Sequence, residues 1–218
     1  MGNYKEVENY IGYLKQSHGA DTAEKLLTYV DRILEINEHI NLTAVRDRDE
    51  AIVKHLADSL SVLEVPEFWE AETIIDVGTG AGFPGALLAI ACPSKSFVLL
   101  DSTLKKLRVI DGLSEELSIS NLKTVHARAE EIGRQEYAGC FDLCVSRAVA
   151  DLKKLSGWCL PFVRKGGAFI SYKGSNYEEE LSPALKSISK EGARFDRAVP
   201  VDTDFSEIDG HVLLVIKK

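Results

Sequence analysis

The stretch Ile74-Ile75-Asp76-Val77-Gly78-Thr79-Gly80-Ala81-Gly82-Phe83-Pro84-Gly85 decides the fold. An apolar run typical of a strand ends in a loop with a glycine at every second position. Glycine lets the main chain turn sharply there and approach a ligand closely. Pro84 suits the first turn of a following helix, whose leading amides lack partners within the helix. Further on, Leu99-Leu100-Asp101 places a carboxylate at the tip of a second strand. A carboxylate in that position can accept both hydroxyl hydrogens of a ribose.

Working outward from this loop, the chain alternates strands and helices from Thr73 onward. The spacing predicts strands at Thr73–Val77, Ser96–Leu100, Leu122–His126, Phe141–Val145 and Ala168–Tyr172. Helices fit at Gly85–Ala91, Leu104–Leu117, Ala150–Leu160 and Tyr177–Glu191. Continuous apolar strands such as Phe97-Val98-Leu99-Leu100 suit a parallel sheet covered on both faces. Two further strands, Arg194–Pro200 and His211–Lys217, have only turn residues between them, which predicts an antiparallel hairpin at the sheet edge. Residues 1–70 read instead as helices, a separate extension before the core at 71–218. Asp21-Thr22-Ala23-Glu24 reads as a capping box, followed by Leu26, Leu27, Val30, Ile33, Leu34 and Asn37 at helical spacing. A second helix is expected from Asp49, with Ile52, Val53, Leu56, Leu60 and Leu63 on one stripe and Pro66 as its stop.

Gly80-Ala81-Gly82-Phe83-Pro84-Gly85 also matches the dinucleotide fingerprint GxGxxG. Its register is wrong for NAD, because the glycines begin at Gly78 and the third fingerprint glycine belongs inside the helix. The pattern Asp76-x-Gly78-x-Gly80-x-Gly82 is instead that of methyltransferase motif I. One α/β run closed by an edge hairpin resembles the class I S-adenosylmethionine-dependent methyltransferase fold, Rossmann-like with a mostly parallel seven-stranded sheet. An NAD-dependent oxidoreductase and a non-catalytic nucleotide-binding module stay open as alternatives. The former needs a second nucleotide half or a catalytic domain, for which 218 residues leave no room.

Composition narrows the setting. Hydrophobic residues are 45% and charged residues 28%, as in ordinary globular chains. No apolar run approaches the ~20 residues of a membrane span, and the polar start does not read as a signal peptide. Met1-Gly2 suits myristoylation, but Glu6 stands where Ser or Thr is wanted. Asn41-Leu42-Thr43 fits a glycosylation sequon in a chain without a secretory signal. Cys92, Cys140, Cys144 and Cys159 show no zinc spacing and read as reduced thiols packed like small apolar groups. A cytoplasmic, metal-free monomer is expected. The net charge of -8 argues against tight binding to naked nucleic acid. Arg147, Lys153, Lys154, Arg164, Lys165 and Lys173 face only Asp151 in their stretch, so they form either a local basic surface or an ordinary solvated face.

The segment after the fourth strand, Val145-Ser146-Arg147-Ala148-Val149, should face the transferred methyl group. It is not the Asp/Asn-Pro-Pro-Tyr type that grips an exocyclic amine. No Pro-Cys nucleophile is present; Cys92-Pro93 has the reverse order. An acceptor with a ready lone pair, such as guanine N7, requires no general base. Orientation alone can contribute on the order of 7–11 kcal/mol to such a transfer.

Several pieces together resemble the ribosomal RNA small subunit methyltransferase G family, also called the glucose-inhibited division protein B family. They are Asn41-Leu42-Thr43-Ala44-Val45-Arg46-Asp47, His55-Leu56-Ala57-Asp58-Ser59 and the glycine loop itself. Leu100-Asp101-Ser102, Arg128-Ala129-Glu130-Glu131, Val145-Ser146-Arg147-Ala148 and Lys173-Gly174 complete the set. The resemblance implies N7 methylation of one guanine, guanine 527, in the 530 loop of 16S ribosomal RNA. It places the donor on Gly78, Phe83, Ala129, Glu130 and Arg147, with Gly80 and Gly82 in the same loop and Asp101 and Ser102 at the ribose. No residue is expected to act by covalent or acid–base chemistry; Arg147 is the candidate positioning residue. Arginine commonly grips guanine through O6 and N7, but that contact would occupy the attacking lone pair. Arg147 is therefore assigned to the donor or to a phosphate. Arg46, His55 and Lys173 are candidate RNA contacts, and Asn41 and Asp58 belong to the same extension. With this charge, the expected substrate is RNA within a small ribosomal subunit particle.

Overall fold

The computed structural model describes residues 4–203 and 205–218. Met1 and Gly2, on which the lipidation reading rests, lie outside the described residues. Seven strands form one sheet: β1 (Thr73–Val77), β2 (Ser96–Asp101), β3 (Leu122–His126), β4 (Phe141–Arg147), β5 (Val163–Lys173), β6 (Arg194–Pro200) and β7 (Val212–Lys217). Their order is β3-β2-β1-β4-β5-β7-β6. Strands β1 to β5 pair in parallel, with Ile75 opposite both Val98 and Cys144. Strand β7 runs antiparallel between β5 and β6, so the closing hairpin adds to the sheet edge as expected. This is the Rossmann-like fold of class I methyltransferases.

Alternation along the strands explains the layers. Ile74, Phe97 and Leu99 enter one core with the N-terminal helices α1 (Tyr4–His18) and α2 (Ala20–Asn37). Ile75, Val98 and Leu100 enter the other, against α9 (Leu152–Cys159) and α10 (Tyr177–Lys190). The first core is also filled by α6 (Gly85–Ala91), nearly every side chain of which is buried, and by α7 (Leu104–Glu116). Thus the helical extension shares its core with one face of the sheet rather than closing a core of its own.

Several sequence expectations need correction. Helix α2 starts one residue before Asp21, behind Gly19, and no side chain caps it. Gly19 supplies the positive φ of 85° that the break after α1 requires, and this competes out the capping box. The expected helix from Asp49 is a chain of short pieces. Asp47 caps α3 (Arg48–Ala51), a π-type stretch spans Ile52–Ala57, then come α4 (Asp58–Leu60) and a 3₁₀ turn, Ser61–Glu64. Pro66 opens a helix instead of ending one, because its missing N–H is harmless in a first turn: it heads α5 (Pro66–Glu70). Strand β5 begins at Val163, which pairs with Phe141 ahead of a register shift; glycines 166 and 167 hid that start. Cys140 is exposed, unlike the three buried thiols. Among the described residues no helix is long and apolar enough to cross a membrane.

Candidate active site

The strand order reverses between β1 and β4, which opens a crevice at the carboxyl edge of the sheet. A cleft of about 1210 Å³ occupies it. Its lining brings together Gly78, Gly80, Phe83, Asp101, Ser102, Ala129, Glu130, His55, Arg147 and Lys173 from the sequence reading. Gly82 lies just behind the lining, and Asn41 and Arg46 are exposed elsewhere.

The glycines are required by geometry. Gly78, Gly80 and Gly82 have φ of 75°, 60° and 93°, a region unfavourable to side chains. A Cβ on Gly82 would lie 2.1 Å from the Tyr29 hydroxyl, which donates to Ala81 O at 2.9 Å. A Cβ on Gly78 would meet Val149 at 2.4 Å. Asp76 is fully buried beneath the loop and accepts the Gly85 amide at 2.9 Å, pinning the start of α6. Burial pushes its carboxyl up to about 6, against the opposing pull of Thr79 and the Gly85 amide.

Asp101 does more than wait for a ribose. Its oxygens accept the Gly80 amide at 3.0 Å and the Thr103 amide at 2.8 Å. A carboxylate has about four acceptor sites, so two remain for a ligand. Ser102 is exposed beside it. Ala129 and Glu130 open the four-residue α8 (Ala129–Ile132) on the far side of the cleft. The loop's backbone, the spare acceptors of Asp101 and the room beyond them fit an adenosyl group.

Phe83, which the resemblance places at the donor, lines the cleft but is held among neighbouring side chains. It is buried, with the Tyr29 ring edge-on at 6.0 Å, the His55 ring stacked at 4.6 Å and the Arg147 guanidinium at 5.7 Å. Arg147 is likewise enclosed, its side chain only 12% exposed. One terminal nitrogen donates to Lys54 O at 2.7 Å and to Asp58 at 2.8 Å. The Lys54 carbonyl is available because the π-type stretch sends the Asp58 amide to His55 O and Val53 O instead. The other oxygen of Asp58 bonds His211 Nδ1 at 2.9 Å, so three distant segments meet at one carboxylate. Burial alone would raise Asp58, but His211 and Arg147 outweigh it and hold it below its ordinary value. His55 is lowered to about 4 by burial and by the Arg147 charge, and is neutral at pH 7.

The expected basic surface is largely cancelled. Arg147 pairs with Asp58, Lys154 with Asp151, Arg164 with Asp142, and Lys173 with Glu180 at 2.6 Å. Arg164 also follows the first residue of β5, at the sheet edge opposite the cleft. Lys173 also donates to Ala150 O at 2.9 Å. Sequence reasoning missed Tyr29, Thr43 and His211. Tyr29 reads as one more stripe residue, and His211 heads a strand with no motif around it. Thr43 stood in the sequon and in the resembling stretch Asn41–Asp47 with no role attached to it.

Residues 22–204 match the model of the family described as rRNA small subunit methyltransferase G, GidB. The chain belongs to that family. Among its curated relatives, the ribosomal RNA small subunit methyltransferase G of Alkaliphilus metalliredigens (strain QYMF) is 43% identical over 196 residues, covering 89% of this chain and 82% of the relative. That of Clostridium botulinum (strain ATCC 19397 / Type A) is 39% identical over 195 residues, covering 89% and 81%. Solved structures share the fold at low identity. An O-methyltransferase from Bacillus cereus in complex with SAH aligns with a TM-score of 0.61 and 17% identity, over 97% of this chain and 100% of that one. M. jannaschii TYW2 in complex with AdoMet aligns at 0.54 and 15%, over 77% and 78%. The family's cofactor is S-adenosylmethionine, and the chain is an enzyme of this class.

Proposed function

We infer that this chain methylates N7 of a guanine in the 530 loop of 16S ribosomal RNA, guanine 527, as its family membership implies. The observation that carries the reading is the meeting of the glycine loop after β1 and Arg147 at the end of β4 in one cleft of a chain from this family. S-adenosylmethionine supplies an electrophilic methyl group on a sulfonium. The chain's part is placement. The backbone of Gly78 and Gly80 receives the donor, Asp101 and Ser102 take its ribose, and Ala129 and Glu130 border its adenine. Arg147, with Phe83 and His55, forms the wall where methyl group and acceptor meet. N7 brings its own lone pair, so no side chain has to remove a proton before attack. The rate then comes from alignment and from excluding water.

Residues 1–70 serve this reading as the extension that builds the acceptor side, and 71–218 as the donor-binding core. The enzyme acts as a metal-free monomer in the cytoplasm, on a small-subunit particle. Calorimetry tests the donor assignment: S-adenosylhomocysteine binds and NAD does not. NAD binding without S-adenosylhomocysteine binding would overturn the donor assignment and favour the oxidoreductase alternative. Transfer of labelled methyl to small-subunit RNA separates an enzyme from a mere nucleotide binder.

A further inference from the structure

The loop after α2 is built to hold one hydroxyl. Asn37, buried at the end of α2, serves four backbone groups at once. Its amide nitrogen donates to Thr43 O at 3.0 Å and Val45 O at 3.3 Å, and its oxygen accepts from Leu42 N at 2.8 Å and Thr43 N at 3.1 Å. This fixes Thr43 on the cleft wall. Thr43 Oγ1 lies 2.8 Å from His55 Nε2 and accepts the Val45 amide at 3.2 Å.

The tautomer of His55 follows from its other nitrogen. Nδ1 is 3.4 Å from an Arg147 nitrogen, and a guanidinium only donates. With Arg147 as the donor at that contact, we assign the lone pair to Nδ1 and the proton to Nε2, which gives it to Thr43. The hydroxyl oxygen then receives two N–H groups, its full acceptor capacity. Its own hydrogen has no acceptor among the described residues. The His55 ring stacks on Phe83 of the glycine loop, so this spare donor stands beside the wall where methyl group and base meet.

We propose that the Thr43 hydroxyl donates to O6 of the acceptor guanine and so distinguishes guanine from adenine while leaving N7 free. The proposal rests on the guanine-N7 reading above. A single O–H suits the task better than an arginine fork, which would take O6 and N7 together. Adenine would present an N6 amine, donor against donor. A neutral donor also suits a product whose ring has become cationic. Arg147, the cation against the Phe83 and His55 rings, is already matched by Asp58.

The test is a cycle between protein and RNA. Small-subunit particles carry guanine or 2-aminopurine at the target; 2-aminopurine lacks O6 and keeps N7. The wild type should lose about 10-fold in kcat/KM on 2-aminopurine, the worth of one hydrogen bond. Thr43→Val should lose about 10-fold on guanine and nothing further on 2-aminopurine. Thr43→Ser should behave as the wild type. S-adenosylhomocysteine affinity should be unchanged in Thr43→Val, which also shows the variant folded. Independent, multiplying losses would overturn this inference alone. So would a roughly 10-fold fall in S-adenosylhomocysteine affinity, which would place the hydroxyl on the donor's carboxylate. A wild type inert on the guanine particle would overturn the functional reading and this inference with it.

Discussion

Arg147 and Asp58 are 89 residues apart in the chain and share a buried ion pair, with the Asp58 side chain 4% exposed. Removing one partner of such a pair leaves an uncompensated charge, so Arg147→Ala should lower unfolding free energy by about 3 kcal/mol in urea titration. A loss below about 0.5 kcal/mol would show that His211 alone satisfies Asp58. Two buried groups predict opposite pH slopes. His55 is lowered from 6.5 to about 4, so its contribution is full above 6.5 and is lost as pH falls toward 4. Asp76 is raised from 3.8 to about 6, so its contribution is full below 3.8 and is lost as pH rises toward 6. Between these limits the two partly cancel in the native chain. Urea midpoints at low and near-neutral pH should therefore rise less with pH in His55→Gln and more in Asp76→Asn; equal slopes in all three proteins would contradict the assignment. At this scale the glycine loop and Asp101 were legible, because local pattern imposes them. The Asp58 junction was not. Its partner His211 lies 153 residues away and no local spacing announces it.

The elements show how the extension governs the loop. Helix α2 carries Tyr29 onto Ala81 O and into the space a Cβ on Gly82 would need. Gly82→Ala therefore combines a strained φ with a steric clash and should cost more than about 2 kcal/mol. It should also abolish S-adenosylhomocysteine binding. Adding Tyr29→Phe removes the hydroxyl that the new methyl meets, so the double variant should regain part of the lost thermal stability. Strict additivity of the two losses would mean that α2 does not set the loop's position. The strands were readable as elements because two-sided burial writes long apolar runs such as Phe97-Val98-Leu99-Leu100, but the start of β5 at Val163 and the end of β4 at Arg147 were not. The helical region was read less well. Its break at Gly19 and its π-type stretch at Ile52–Ala57 answer to tertiary demands, a turn between helices and a carbonyl for Arg147, rather than to periodicity.

At the scale of the molecule, an acidic chain of net charge -8 has to find an anionic substrate. Most of the cations that the sequence gathers between Arg147 and Lys173 are spent on internal ion pairs. Binding to naked RNA draws chiefly on unpaired cations, and within that stretch few remain. Methylation of protein-free 16S RNA should thus be slower than methylation of a small-subunit particle at equal concentration and moderate salt. Equal rates would refute the particle as substrate. The most direct measurement of the central claim is chain cleavage at N7-methylguanine in 16S RNA, taken from small-subunit particles incubated with the protein and S-adenosylmethionine. The account predicts one new cleavage, at guanine 527 of the 530 loop, that depends on both protein and donor. An unmodified guanine there, or a methyl group found on another atom or base, would contradict it.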